Sequence, residues 1–380
     1  MMAGKKIVLI GSAHPLRGGL ATFNERLIRE YRLQGNDAMI YTFSLQYPSI
    51  LFPGKTQLSS EPAPEDIPVF IKVNSINPFN WIRVGLELKK MKPDLVLVKY
   101  WMPFMAPCFG TICRILRKNR HSKVVSIIDN IIPHEKRPGD RLLSNYWVGS
   151  ADGFIAMSRS VMKDLETFDA SKPKIYCPHP LYDNFGESVP KNLAKERLGL
   201  DPAVPYVLFF GFIRDYKGLD LLLEAFADER IRRSEVRLLV AGEFYCDPKP
   251  YRDIIERHGL GEKVIMSNDF IPDSQVVNYF CAADVVVQPY KSATQSGVTQ
   301  IAYHFNKPMI ITGVGGLAEF VPDARVGYVV NPEPQEIATA INRFFEEGRE
   351  AEFQAAAAIE KKKYAWSRMT EAIDRLLKGE

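Results

Sequence analysis

Tyr206-Val-Leu-Phe-Phe-Gly-Phe-Ile-Arg-Asp-Tyr-Lys-Gly-Leu-Asp220 reads as a strand, a loop and the opening of a helix. The uninterrupted apolar run Tyr206–Phe210 suits a strand buried on both faces of a parallel sheet. Gly211 lets the chain turn where that strand ends, and Leu219–Ala227 has the apolar content of a covering helix. The same cadence follows it, with strands predicted at Val236–Ala241, Lys263–Met266, Val285–Gln288, Met309–Thr312 and Gly327–Val330, and a helix at Pro334–Glu346. It also precedes it. Strands are predicted at Lys6–Ile10, Asp37–Thr42, Asp94–Val98, Lys123–Ile128, Gly153–Ala156 and Lys174–Cys177. The helices between them are Thr22–Gln34, Asn80–Met91, Pro107–Asn119 and Ser158–Phe168. Strands alternating with helices predict parallel sheets covered on both faces. Residues 43–79, rich in Pro, Ser and Asn, read as an irregular excursion.

A chain of 380 residues exceeds what one hydrophobic core usually serves, so two domains are expected. The turn-rich segment His179–Pro190 is the natural linker, giving domains 1–185 and 186–363. A helix in 364–380, anchored by Trp366, returns to the first domain. The fold expected is α/β, two Rossmann-like doubly wound domains facing each other across a cleft, with ligands at the carboxyl ends of the strands.

Composition excludes several classes. A net charge of +4 is too mild for a nucleic-acid binder, and the five cysteines form no CxxC pair or evident disulfide framework. The longest uncharged stretch, Trp101–Cys113, is interrupted by Pro103, Pro107 and Gly110 and is too short to span a bilayer, which needs about 20 apolar residues. A reducing cytoplasm is the expected location. His14 in the glycine loop suits the cleft or, more commonly for a lone histidine, a structural hydrogen bond; His121, His179, His258 and His304 show no metal-ligand spacing, so no metal is expected.

Four segments carry chemistry. In Gly11–Phe23, Gly18 and Gly19 allow close backbone approach to a ligand before a helix expected to start at Thr22; a tight turn explains them equally well. In Phe209–Asp220, Arg214 offers a fork and Lys217 a point charge to a diphosphate at a strand end. In Pro289–Gln300, Ser296, Gly297 and Val298 open a helix whose N–H groups suit an anion, while Thr294 and Gln295 suit sugar hydroxyls. A simply capped helix is the alternative there. In Thr312–Glu319, Glu319 suits sugar or ribose hydroxyls or merely a helix dipole.

Together these segments, with ADVVVQPY ending at Tyr290, NKPMIITGVGGLAEFV and VGYVVNPEPQEIATAI, resemble family 4 of the retaining GT-B glycosyltransferases over nearly the whole chain. The resemblance implies that Arg214 and Lys217 hold the donor diphosphate beside Gly211. It also implies that Gly18 and Gly19 approach it from the other domain, and that Phe270 and Ile271 help form the nucleobase pocket. Cations and helix N-termini replace a divalent ion in that family. The chain departs from the pattern where many members carry two glutamates in an E-x7-E arrangement. Ile301 falls at the second position and Ala293 or Thr294 at the first. A family histidine after the fourth N-terminal strand is replaced by Asp129, with His134 five residues later, and both are assigned as residues contacting sugar or acceptor.

The function this implies is transfer, with retention, from a nucleoside-diphosphate sugar to a glycan or lipid-linked acceptor in cell-envelope, exopolysaccharide or lipopolysaccharide synthesis. A non-catalytic nucleotide-sugar-binding protein is the alternative, because the paired acids are missing. In Asn80–Lys92, Trp81, Val84, Leu88 and Met91 fall at helical spacing among Arg83, Lys89, Lys90 and Lys92. That stripe suits peripheral attachment to an anionic membrane surface on the inner face of the plasma membrane, or the covering of a sheet.

Overall fold

The computed structural model describes residues 4–48, 56–133 and 137–379. They fall into two compact units, one of residues 4–48, 56–180 and 364–379, the other Leu181–Lys363. In the first unit the strands are β1 (Lys6–Ile10), β2 (Asp37–Leu45), β3 (Val69–Asn74), β4 (Leu95–Tyr100), β5 (Lys123–Ile128), β6 (Gly153–Ala156) and β7 (Lys174–Tyr176). They form one sheet in the order β3-β2-β1-β4-β5-β6-β7, with every pairing parallel.

In the second unit β8 (Tyr206–Phe210), β9 (Arg237–Ala241), β10 (Val264–Ser267), β11 (Val285–Gln288), β12 (Met309–Thr312) and β13 (Gly327–Val330) take the order β10-β9-β8-β11-β12-β13, again parallel throughout. Both sheets are doubly wound. The winding reverses at β1/β4 and at β8/β11, and the carboxyl ends of strands at such a reversal are where this architecture leaves room for a ligand. The apolar runs are explained by burial on both faces: all six residues of β4 are buried.

Three expectations are corrected. The excursion 43–79 contains the end of β2 and the whole of β3. Its signal, Val69-Phe-Ile-Lys-Val-Asn74, is masked because an edge strand keeps one flank in water; Phe70 and Ile71 are exposed. The first helix begins at Gly19, with Gly18 as its cap at φ 99°, rather than at Thr22. A glycine tolerates that positive φ, so the two glycines form the helix opening itself. The third correction concerns Pro78–Met91, a helix whose Val84 and Leu88 are fully buried and whose Trp81 and Met91 pack on the same core. The stripe read as membrane-facing therefore covers the sheet. The outward side of that helix carries Phe79, 84% exposed, with Ile82 and Leu86 also exposed.

Helix Trp366–Lys378 belongs to the first unit. Trp366 lies 5.0 Å from the Phe23 ring with the Arg26 guanidinium over its face, and Thr370 accepts a hydrogen bond from Gln34. Gly153 makes room for Leu376, since a Cβ there would stand 2.5 Å from the leucine Cδ2.

Candidate functional site

In the second unit, the loops leaving β8 and β11 flank the reversal of winding and are locked together. Gly218 sits at φ 68°, where an added Cβ would lie 1.9 Å from the Pro289 carbonyl oxygen, and Lys291 N–H donates to Tyr216 O. Gly315, φ 52°, brings the loop after β12 against Ala293 in the same way, the Gly316 N–H donating to Ala293 O. Only glycine combines the left-handed backbone with such close approach.

Lys217 stands at the centre of this arrangement. Its Nζ is 3.0 Å from where a Cβ on Gly211 would be, and 5.7 Å from the centre of the buried Tyr290 ring. Val298, at the start of helix Gly297–His304, also approaches Gly211, its Cγ2 3.6 Å from where a Cβ there would be. The Arg214 guanidinium lies over Tyr245 at 5.2 Å. Among the described residues neither cation makes an ion pair, whereas the neighbouring Lys291 holds both Asp215 and Asp220 at 2.8 and 2.9 Å. Burial, and then the charge of Arg214, pull the Lys217 ammonium down to about 8. Two cations without carboxylates at a helix opening have the chemistry that suits a seat for a polyanion.

The other predicted donor-side residues distribute around this seat. Thr294 and Gln295 are partly exposed in the β11 loop, while Ser296 is buried with its hydroxyl 3.2 Å from that of Tyr290. Gly297 has a packing reason of its own, since a Cβ there would meet the Tyr182 ring at 2.7 Å. Phe270 and Ile271 lie in the turn after β10. Phe270 faces the Phe212 ring at 6.1 Å, and Phe212 stacks in turn on Tyr245 at 4.3 Å. Glu319 is exposed on a four-residue 3-10 turn, Leu317–Phe320, not at the start of an α-helix, so a helix dipole does not account for it. Ala293 and Ile301, at the positions of the missing acids, are buried apolar side chains.

In the first unit, Asp129 follows β5 directly, its N–H donating to Tyr100 O at the end of β4. Its carboxylate accepts from Lys99 Nζ at 2.9 Å, and that ammonium lies 3.4 Å from the centre of the Phe23 ring. Lys99 is fully enclosed, so its charge depends on Asp129; desolvation lowers its pKa and the carboxylate opposes the shift. His179 packs edge-on against Phe23, and burial together with Lys99 holds its pKa down to about 3. Gly18 and Gly19, the cap and first residue of the helix that follows the β1 loop, lie on the same edge of the sheet. His134 lies outside the described residues.

Lys99 and the Phe212–Tyr245 pair escaped sequence reasoning. A lone lysine within Leu95-Val-Leu-Val-Lys-Tyr100 was the available signal, because a charge in a strand buried on both faces must have a partner. Among the described residues no three His, Cys, Asp or Glu side chains group so as to hold a metal ion.

Residues 204–347 match the family model described as Glycosyl transferases group 1. The chain is 30% identical over 215 residues to a D-inositol 3-phosphate glycosyltransferase of Segniliparus rotundus, covering 55% of this chain and 47% of that protein. It is 27% identical over 202 residues to the lipopolysaccharide 1,2-N-acetylglucosaminetransferase of Salmonella typhimurium, covering 50% and 52%. The chain thus spans about half the length of the curated relatives it matches. HepE of Anabaena, solved with UDP and glucose, superposes with a TM-score of 0.76 at 17% identity, over 99% of this chain and all of that one. Residues 204–347 thus match glycosyl transferases group 1, within a chain of GT-B fold.

Proposed function

We propose that this protein is a family 4 retaining glycosyltransferase that moves a sugar from a nucleoside-diphosphate sugar to a hydroxyl of a glycan or lipid-linked acceptor. The observation that carries this reading is the pair Arg214 and Lys217, unpaired by carboxylates at the β8/β11 reversal beside the opening of helix Gly297–His304. Breaking the bond from sugar to diphosphate leaves negative charge on the departing nucleotide. Fixed cations and N–H groups that meet this charge lower the barrier without reorganising. Thr294, Gln295 and Glu319 supply polar contacts for sugar and ribose, and the rings of Phe270 and Phe212 support a nucleobase. No divalent ion is required, since the two cations neutralise the diphosphate. Retention follows from the family resemblance.

Cell-envelope or exopolysaccharide synthesis is the proposed setting, supported by the resemblance to a lipopolysaccharide transferase. Peripheral attachment to the inner face of the plasma membrane is supported by the exposed Phe79, Ile82 and Leu86 beside exposed Arg83, Lys90 and Lys92. No described helix is long and apolar enough to cross a membrane.

The test is turnover of labelled nucleotide sugars by mass spectrometry, with Arg214→Ala and Lys217→Ala. Each variant is expected to lose about 3 kcal/mol of transition-state stabilisation, on the order of a hundredfold in rate. Near-normal turnover in both would remove the donor-site assignment. Binding of a nucleotide sugar with neither transfer nor slow hydrolysis would favour the non-catalytic binder.

A further inference from the structure

At the carboxyl edge of the first sheet, aromatic side chains from two strand ends meet. Tyr47 follows β2, and Trp101, Met102 and Phe104 follow β4; in the sheet order these flank β1 and its glycine-bearing loop. All four side chains are partly exposed. The Trp101 indole N–H donates to the Tyr47 hydroxyl at 2.7 Å, and that hydroxyl lies 3.6 Å from the Met102 sulfur. Phe104 lies 6.2 Å from the Tyr47 ring at an angle of 32°. Trp101 packs edge-on against the fully buried Phe109 at 5.9 Å. The Tyr47 backbone is held at both ends by the Gln57 side-chain amide, which donates to Tyr47 O at 2.9 Å and accepts from Tyr47 N–H at 3.2 Å.

The polar edges of these rings are thus engaged within the protein, while part of each aromatic surface stays open to solvent. The rings are fixed in advance, so a ligand that stacks on them does not have to order them. None of these four side chains is charged, so what they offer a ligand is stacking rather than ion pairing. An alkyl chain gains affinity by length, whereas these four described side chains form one compact face beside the Gln57 amide. A pyranose ring matches it: its C–H bonds form a small apolar face while its hydroxyls project from the rim to polar neighbours.

The geometry points to Tyr47, Trp101 and Phe104 as an acceptor subsite that stacks the ring face of a pyranose, so the group receiving the sugar is presented by a cyclic glycan. This rests on the proposed transfer reaction. It narrows the acceptor by chemistry that the donor seat does not contain.

Octyl β-D-glucopyranoside, kept below its micelle concentration, tests this in one spectrum. Saturation-transfer NMR on the full chain distinguishes its ring protons from its octyl protons, with methyl hexopyranosides and hexitols as companions. Ring protons of the pyranosides are expected to saturate and hexitols not to. Trp101→Leu, which keeps apolar volume against Phe109, and Phe104→Leu should each weaken the contact by about tenfold. Nucleotide binding measured on the same samples reports whether the donor reading holds and whether each variant is folded. Saturation confined to the octyl chain, no pyranoside contact in a protein that binds nucleotide, or contact that survives both leucine variants would overturn the subsite.

Discussion

Lys217 links burial to a measurable pH response. An ammonium whose pKa is pulled down to about 8 is charged below that pH and neutral above it. Its attraction for a diphosphate is therefore complete at pH 6.5 and lost as pH rises through 8. A bound polyanion favours the charged form, so binding near pH 8 must take up protons. Calorimetric titration of a nucleoside diphosphate in two buffers of different ionisation enthalpy should show this uptake. Lys217→Arg, charged at every accessible pH, should abolish the alkaline loss of affinity, and a loss that persists would assign it to another group. Lys99 makes a different prediction. Replacing it with Met removes the enclosed ammonium from the Asp129 carboxylate, and breaking such a pair costs about 3–5 kcal/mol. Denaturant unfolding should show that loss, with Lys99→Met/Asp129→Asn recovering most of it; equal stability of the single and double variants would deny the coupling.

The two sides of helix Pro78–Met91 do different work. Val84 and Leu88 are fully buried; Leu88→Ala should cost about 2–5 kcal/mol and Val84→Ala, which deletes less, a smaller amount. Phe79, Ile82 and Leu86 are exposed, so changing all three to Ser should leave stability nearly unchanged. If this side meets a membrane, the triple variant should no longer sediment with anionic vesicles at low salt, and the wild-type protein should release as salt rises. Equal sedimentation of both proteins would leave the exposed side without that role. The sequence shows why the wrong side was legible. A 3.6-residue stripe marks burial of any kind, and Trp81, Val84, Leu88 and Met91 satisfy it with the unit's own core. Likewise β11 and β12 could be read because both faces are covered, while β3, at the edge with Phe70 and Ile71 exposed, resembled its irregular surroundings. The Lys99–Asp129 pair joins residues thirty positions apart, one in β4 and one just past the end of the neighbouring β5, and no local pattern encodes that contact.

Across the whole molecule, each unit repeats one winding scheme, and its chemistry-bearing residues collect at the carboxyl ends of the strands. In the second unit these are cations and helix-opening N–H groups; in the first they are a glycine-bearing loop, a buried Lys–Asp pair and an aromatic surface. That division suits a donor diphosphate on the second unit and an acceptor on the first. The whole scheme depends on Arg214 and Lys217 holding a nucleoside diphosphate. Its most direct test is equilibrium titration of UDP, GDP and ADP into the wild-type protein and into Arg214→Ala/Lys217→Ala. At least one nucleotide should bind the wild type and raise its unfolding free energy, by about 2.7 kcal/mol at a hundred times its dissociation constant. The double variant should bind that nucleotide at least a hundredfold more weakly while unfolding at the same temperature without ligand. Equal affinity in the two proteins, or no binding of any of the three nucleotides to the wild type, would deny Arg214 and Lys217 that role.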